Sequence, residues 1–259
     1  MLQKSVSQQI IKTYDCGCFS QDTFVGHYLK KSVVKIDLAK VQECVLGHSV
    51  KDHIERIDQN IVICTTPFNV EYIQVVEACQ YSLISTDVTF ERYHDDAIDQ
   101  LEFDSDYSIV SGNTYTSVSK DNRIAEITAE LAKMSYYGKN KKINFEGVYN
   151  LYQERLALAW NKDTIQIFAA VDFVGALSGF ISLREDKEEI YIDFLAVHSS
   201  IRRKGIAQEL IKRACFYAQE LQKNIYASVQ AENIASIRLY EKAGFIQKNF
   251  SLVYHKVTE

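Results

Sequence analysis

Arg202-Arg203-Lys204-Gly205-Ile206-Ala207 sets three cations and then two small residues, Gly205 and Ala207, at the opening of a helix-patterned run, directly after an apolar strand pattern, Phe194-Leu195-Ala196-Val197. Small residues at a strand-to-helix turn let backbone N–H groups approach a phosphate closely, and the helix start adds about half a positive charge. Arg202, Arg203 and Lys204 strengthen that field, so the turn suits a pyrophosphate; a plain helix start beside a surface basic cluster uses the same residues. No GxxxxGK[ST] occurs, which excludes a Walker loop, and no GxGxxG supports a dinucleotide loop. Further along, Asn233 to Phe245 reads as a helix with Asn233 at its cap and Tyr240 near its end. A phenol of pKa about 10 is a poor match for a base near neutral pH but suits proton donation. The competing reading of Tyr240 is a packing aromatic on an amphipathic helix, with Ile237 three positions before it.

In this order the two runs resemble the GNAT superfamily of acyl-CoA-dependent N-acyltransferases. The superfamily loop reads Arg or Gln, two residues, Gly, one residue, Gly or Ala, as Arg202 to Ala207 does. Its helix begins with Asn and ends Tyr, Glu, two residues, Gly, Phe, as Asn233 to Phe245 does. The resemblance implies the GNAT fold, a mixed, splayed central sheet with helices on both faces. It implies acetyl-CoA as cosubstrate and no metal. The coenzyme A pyrophosphate is expected at Arg202, Arg203, Lys204, Gly205, Ile206 and Ala207. The strand of Leu195, Ala196 and Val197 is expected to splay from the Tyr226 to Val229 strand and admit the pantetheine arm. Asn233 is expected near the pantetheine or sulfur, and Tyr240 is expected to protonate the leaving thiolate. Some members place a glutamate base where Tyr191 stands here. Strand alternation puts Tyr191, Asp193, Leu195 and Val197 on one face. Asp193 is therefore the candidate to orient a proton-accepting water, or else a carboxylate hydrogen-bonded within the sheet.

These residues need a scaffold, and the hydrophobic pattern supplies one. Strands are expected over Val33 to Leu38, Asn60 to Cys64 and Tyr81 to Arg92, with helices over His48 to Asp58 and from Pro67 through Cys79. This β-α-β-α-β order reads as a small α/β N-terminal domain, 1–105, that could be a partial GNAT-like unit. His94 to Asp106 holds six acidic residues and no basic one, and reads as a solvated connector. The catalytic domain then spans 106–259. It has a strand over Tyr107 to Val118, a helix capped by Asp121 or Asn122 and running to about Tyr136, and a helix over Phe145 to Trp160. A hairpin, Thr164 to Val171 and Gly175 to Leu183, turns at Asp172-Phe173-Val174. Glu189 to Val197, Lys204 to Leu221, Asn224 to Val229 and Asn233 to Lys242 follow as strand, helix, strand and helix, and Phe245 to His255 as a final strand pair or a single long strand. The order describes an α/β layered arrangement.

The net charge of -5 argues against a general nucleic-acid binder. No stretch approaches the roughly 18 apolar residues of a membrane helix. The six cysteines form no CxxC pair and no zinc spacing, so they are read as reduced, in a cytoplasmic protein. For the acceptor, the chain resembles the dTDP-fucosamine acetyltransferase-like GNAT enzymes, which acylate a 4-amino sugar on a nucleotide. Asp22-Thr23-Phe24-Val25-Gly26, Lys141-Lys142-Ile143, Leu151-Tyr152 and Trp160 carry this likeness, while Ser135-Tyr136-Tyr137 stands where Ser-Arg-Phe is usual. The resemblance implies a small-molecule amine, a nucleotide-linked 4-amino-deoxy sugar, and a homodimer. Tyr136, Tyr137, Tyr149 and Tyr152 are candidates to stack on base or sugar, and Lys139, Lys141 and Lys142 to meet a diphosphate; the alternative is packing tyrosines and a solvated lysine loop. A protein or peptide N-acetyltransferase and a non-catalytic acyl-CoA-binding sensor are the other readings.

Overall fold

The computed structural model describes residues 19–40, 54, 57, 60–98, 107–112, 122–161 and 165–258. They fall into two compact units, drawn from 1–87, 136–151 and 250–259 and from 88–135 and 152–249. This grouping does not follow a single cut at 105/106, because the chain passes from one unit to the other inside continuous elements.

In the first unit, β1 (Phe19–Gln21) pairs antiparallel with β2 (Val33–Asp37), and α1 (Thr23–Leu29) joins them. Asp22 caps α1, accepting from the Val25 amide at 2.9 Å, so the Asp22 to Gly26 run is a helix start. β3 (Ile61–Pro67) lies parallel to β2 and antiparallel to the Ser251 to Val257 stretch of β10 (Ile246–Val257). α2 (Val70–Ala78) is capped by Asn69, two residues after Pro67. β4 (Ser82–Arg92) follows. Apolar side chains from these elements, among them Ile36, Val62, Cys64, Val76 and Tyr254, form this unit's core. Most of the expected helix over 48–58 lies outside the described residues.

The second unit carries the strand order β4-β9-β8-β7-β6-β5. Its elements are β5 (Tyr107–Ser111), α3 (Asn122–Met134), β6 (Ile165–Asp172), β7 (Leu177–Glu185), β8 (Glu189–Val197), α6 (Ile206–Glu220), β9 (Asn224–Gln230) and α7 (Ile234–Lys242). Between α3 and β6 run α4 (Tyr136–Lys139), which belongs to the first unit, and α5 (Phe145–Asn161), which enters the second at Tyr152. β5 through β8 pair antiparallel, and β8 pairs parallel with β9. Ile206, Leu210, Ile211, Ala214, Cys215 and Ala218 recur at helical spacing and bury one stripe of α6 against one sheet face. Ile127, Leu156 and Ala159 from α3 and α5 cover the other face with Phe180 and Ala169. Helices on both faces of a mixed sheet are what the sequence pattern implied. The expected strand over Tyr107 to Val118 ends at Ser111, and 113–121 lie outside the described residues.

Close strand approach is needed where β7 meets the end of β8. A Cβ on Gly179 would lie 2.7 Å from the Ala196 carbonyl oxygen and 3.2 Å from Val197 Cα. Gly179→Ala is expected to destabilise the protein by about 1–3 kcal/mol, the usual cost of overpacking. Denaturant unfolding measures it; a change under about 0.5 kcal/mol, typical of uncrowded sites, would show that the strands can part freely there.

Candidate active site

β8 and β9 begin as paired parallel neighbours and then separate. Their register runs Glu189↔Asn224, Ile190↔Ile225, Tyr191↔Tyr226, Ile192↔Ala227 and stops, although β8 continues to Val197 and β9 to Gln230. Phe194, Leu195, Ala196 and Val197 are consequently only partly buried, in a strand flanked on both sides by others. Backbone groups in a sheet interior that lack a partner strand are costly unless something else bonds them. This is the splay expected of the Leu195-Ala196-Val197 strand.

The separation starts beside a β-bulge. Across β7, Leu183 pairs with Ile192 and Ser182 with Phe194, which leaves Asp193 as the extra residue on β8. A bulge resets side-chain alternation. Ile190, Ile192, Leu195 and Val197 pack toward the α6 side, whereas Phe194 and Ala196 pack with the opposite core. The expectation that Tyr191, Asp193, Leu195 and Val197 share one face is corrected accordingly: strict period-two counting fails once one residue is inserted. Asp193 Oδ1 accepts from Arg184 Nε at 3.3 Å, with a third of its side chain (33%) accessible. Partial burial raises its carboxyl above the usual aspartate value, against the pull of Arg184 and then Arg155.

After β8 the chain turns through a short 3-10 segment, Ser199–Ile201, into α6. Arg203 (φ 65°) and Gly205 (φ 79°) both take left-handed backbone conformations, and Gly205 caps α6 without any side-chain cap bond. No atom lies within 4 Å of a Cβ built on Gly205, so glycine is required there by backbone conformation and not by space. An uncapped helix start of this kind presents its first N–H groups outward. Arg203, Lys204 and Gly205 are exposed, Ala207 is half-buried, and Ile206 anchors the turn in the core. Arg202, expected at the pyrophosphate, is also tied into the fold. Its Nε donates to the Val197 carbonyl at 3.0 Å, and its guanidinium pairs with Glu130. Four residues earlier His198 Nε2 meets Glu126 at 2.8 Å. Glu126 and Glu130 thus match His198 and Arg202, each pair spaced by four, and tie α3 to the turn. That i,i+4 acidic pair was the available sequence signal.

At the far end of the separation, Asn233 caps α7, accepting from the Ser236 amide at 3.2 Å. Tyr240, 4% exposed, stacks on Phe90 at 5.8 Å and meets Phe245 edge-on at 5.2 Å. Burial, and then the neighbouring Cys215, pushes its phenol well above the usual tyrosine range, so it is protonated at neutral pH.

Sequence reasoning missed a polar row across the sheet. Arg184, Tyr191 and Tyr226 are in register, the guanidinium 4.4 Å from the Tyr191 ring and the two rings stacked at 5.6 Å. Lys248 Nζ lies 4.7 Å from the Tyr226 ring centroid. The Tyr226 hydroxyl donates to buried Glu91, and Lys248 Nζ lies 3.0 Å from Glu91 Oε2 and 3.1 Å from the Tyr226 oxygen. Tyr191 donates likewise to Glu189, a bond that, ahead of burial, pushes its phenol up to about 12. Glu91, directly after the Val88-Thr89-Phe90 run of β4, was the available signal. Of the expected stacking tyrosines, Tyr152 is buried against Phe194 at 6.2 Å, and Tyr137, in the first unit, is fully buried beside His255. Lys141 and Lys142 are exposed.

Residues 131–245 match the Acetyltransferase (GNAT) family. The chain is 26% identical over 138 residues to the spore coat polysaccharide biosynthesis protein SpsD of Bacillus subtilis (strain 168), a match covering 51% of this chain and 46% of that relative. The chain therefore spans about half the length of the curated relative it matches. Among solved structures, a GCN5-related N-acetyltransferase from Sphaerobacter thermophilus aligns with TM-score 0.58 and 16% identity over 93% of this chain and 76% of its own. One from Kribbella flavida aligns with TM-score 0.56 and 10% identity, covering 99% and 95%. These structural likenesses establish the fold.

Burial raises the Glu91 carboxyl, but the bonds from Tyr226 and Lys248 and the lysine charge outweigh it and hold the group below its ordinary value of 4.5. A depressed carboxylate stabilises the fold above its unfolded pKa and ceases to do so as pH falls through the folded value. Glu91→Gln is therefore expected to flatten the loss of stability below about pH 4.5, measured by denaturant melts at stepped pH. An acid limb as steep as that of the parent protein would refute the buried ion pair.

Proposed function

We propose that this protein is an N-acetyltransferase that moves an acetyl group from acetyl-CoA to the primary amine of a nucleotide-linked 4-amino-deoxy sugar. The observation that carries the donor half is the end of β8–β9 pairing at Ile192↔Ala227, followed directly by the uncapped, left-handed Gly205 at the start of α6. An amide-bearing arm ending in a pyrophosphate fits both features at once. The open edge of Leu195, Ala196 and Val197 bonds the amides. The N–H groups at Gly205, Ile206 and Ala207 take the phosphates. Arg203 and Lys204 add charge, while Arg202 holds the turn in shape through Glu130 and the Val197 carbonyl. Asn233 orders the α7 end of the same cleft.

Bound acetyl-CoA supplies an acyl carbon to which the acceptor nitrogen bonds as the carbon–sulfur bond breaks. The chain's own groups handle the protons. Asp193, raised by partial burial and placed on the bulge, orients a water that takes the proton leaving the amine. Tyr240 holds its O–H at neutral pH and donates it toward the leaving sulfur. The acceptor half rests on the likeness to a polysaccharide biosynthesis protein. It is supported by the Arg184–Asp193 pair beside the bulge and by Arg155, which lies 5.5 Å from the Tyr152 ring. The Arg184 guanidinium beside the acceptor path suits a phosphate-bearing amine.

Free-thiol release from acetyl-CoA is expected with a dTDP-linked 4-amino sugar, and Tyr240→Phe is expected to lower kcat about 10²-fold with KM for acetyl-CoA nearly constant. Undiminished turnover by the phenylalanine variant would remove Tyr240 from the chemistry. Turnover of ribosomal or other peptides without any nucleotide sugar would overturn the acceptor.

A further inference from the structure

Arg92, the last residue of β4, is 4% exposed, and its guanidinium donates to main-chain carbonyls. Nε donates to Ala243 O at 2.9 Å, and one terminal nitrogen donates to Ala97 O at 2.7 Å and Asp96 O at 3.4 Å. Ala243 is the C-cap of α7, three residues beyond Tyr240. A buried cation at that place is stabilised by the negative end of the helix and by carbonyls that the helix leaves unbonded. Gly244 follows at φ +81°, and a Cβ there would lie 3.2 Å from Arg92 Nε, so the guanidinium sits where a side chain would otherwise be. Two residues back on the same strand, Phe90 stacks on the Tyr240 ring. Strand periodicity places Phe90 and Arg92 on one face. β4 thereby touches α7 twice: one contact sets the plane of the tyrosine ring and the other sets the height of the helix that carries it.

We propose that Arg92 is a positioning residue for the Tyr240 hydroxyl, holding α7 so that the phenol meets the coenzyme A sulfur. This rests on the assignment of Tyr240 made above. The planar fork bonds Ala243 on one edge and the 96–97 segment on another, a geometry that lysine cannot reproduce. Arg92 also approaches the Cys215 thiol on α6, so one guanidinium links β4, α6 and α7. Residues 88–92 precede the part of the chain that matches the acetyltransferase family, so the orientation of Tyr240 depends on a strand outside that match.

The test uses the full chain with free coenzyme A and follows the alkylation rate of its bound thiol against pH. This reports the thiol pKa and needs no acceptor. A well-placed phenol donor lowers that pKa by roughly one unit, and Tyr240→Phe is expected to remove the shift. Arg92→Lys and Arg92→Met are expected to remove most of it while coenzyme A affinity changes by less than about threefold, since misplacement near 1 Å suffices to lose such contacts. In the Tyr240→Phe background, adding Arg92→Lys is expected to change nothing further. If Tyr240→Phe leaves the thiol pKa unaltered, or coenzyme A does not bind, the Tyr240 assignment fails and the Arg92 proposal with it. If Tyr240→Phe removes the shift but Arg92→Lys retains it, or the two effects add, Tyr240 stands and the positioning role is overturned. Circular dichroism and coenzyme A affinity identify a variant that has lost its fold; Arg92→Lys, which keeps the charge, is then the deciding variant.

Discussion

The second unit is organised around the point at which β8 and β9 stop pairing. Parallel strands inside a sheet ordinarily stay bonded along their shared length, because each unpaired N–H or C=O away from water costs free energy. Here the register ends at Ile192↔Ala227 with five residues of β8 still to come. The inserted Asp193 bends β8 at that place and turns Leu195 and Val197 toward the α6 side. α6 then begins with a glycine cap that offers no side chain of its own. Bulge, open edge and bare helix start follow one another between Asp193 and Ile206, and in the proposed reading each offers hydrogen-bonding capacity to one elongated donor.

Charge is distributed so that this opening keeps its form. The negative ends of two pairs, Glu126 and Glu130, come from one helix and fix His198 and Arg202 at the turn. Positive field for an anion is left to the helix start and to the exposed Arg203 and Lys204. On the sheet, the Arg184–Tyr191–Tyr226–Lys248 row stacks cations outside aromatic rings, and the Glu189 and Glu91 carboxylates accept hydrogen bonds from the two phenols. Buried Glu91 is tolerable because two donors reach it, whereas a lone buried carboxylate would be strongly disfavoured.

Much of this was legible in the sequence. Most expected strands and helices of the second unit fall within a few residues of the observed ones, because Ile206, Leu210, Ala214 and their neighbours repeat at helical spacing and the cap at Asn233 is chemically explicit. The turn into α6 was legible for a related reason: few residues besides glycine accept the left-handed backbone conformation at 205. The bulge was not legible. Inserting one residue leaves composition and local pattern unchanged, and only the partner strand reveals that Asp193 has no opposite number. The roles of Glu91 and Arg92 were equally hidden, since their partners Tyr226, Lys248 and Ala243 lie more than a hundred residues away in sequence. The compact units follow a different logic from the acidic run after His94, which reads as a linker: β4, just before it, contributes Val88 to Arg92 to the same unit as the later strands.

Amide hydrogen exchange with and without acetyl-CoA tests the donor site most directly. If the open edge and the uncapped helix start hold the donor, exchange slows at Leu195, Ala196 and Val197 and at Ile206 and Ala207, and stays unchanged along β5 and β6. Saturating acetyl-CoA that leaves those five amides exchanging at their free rates would contradict a donor site between β8 and β9.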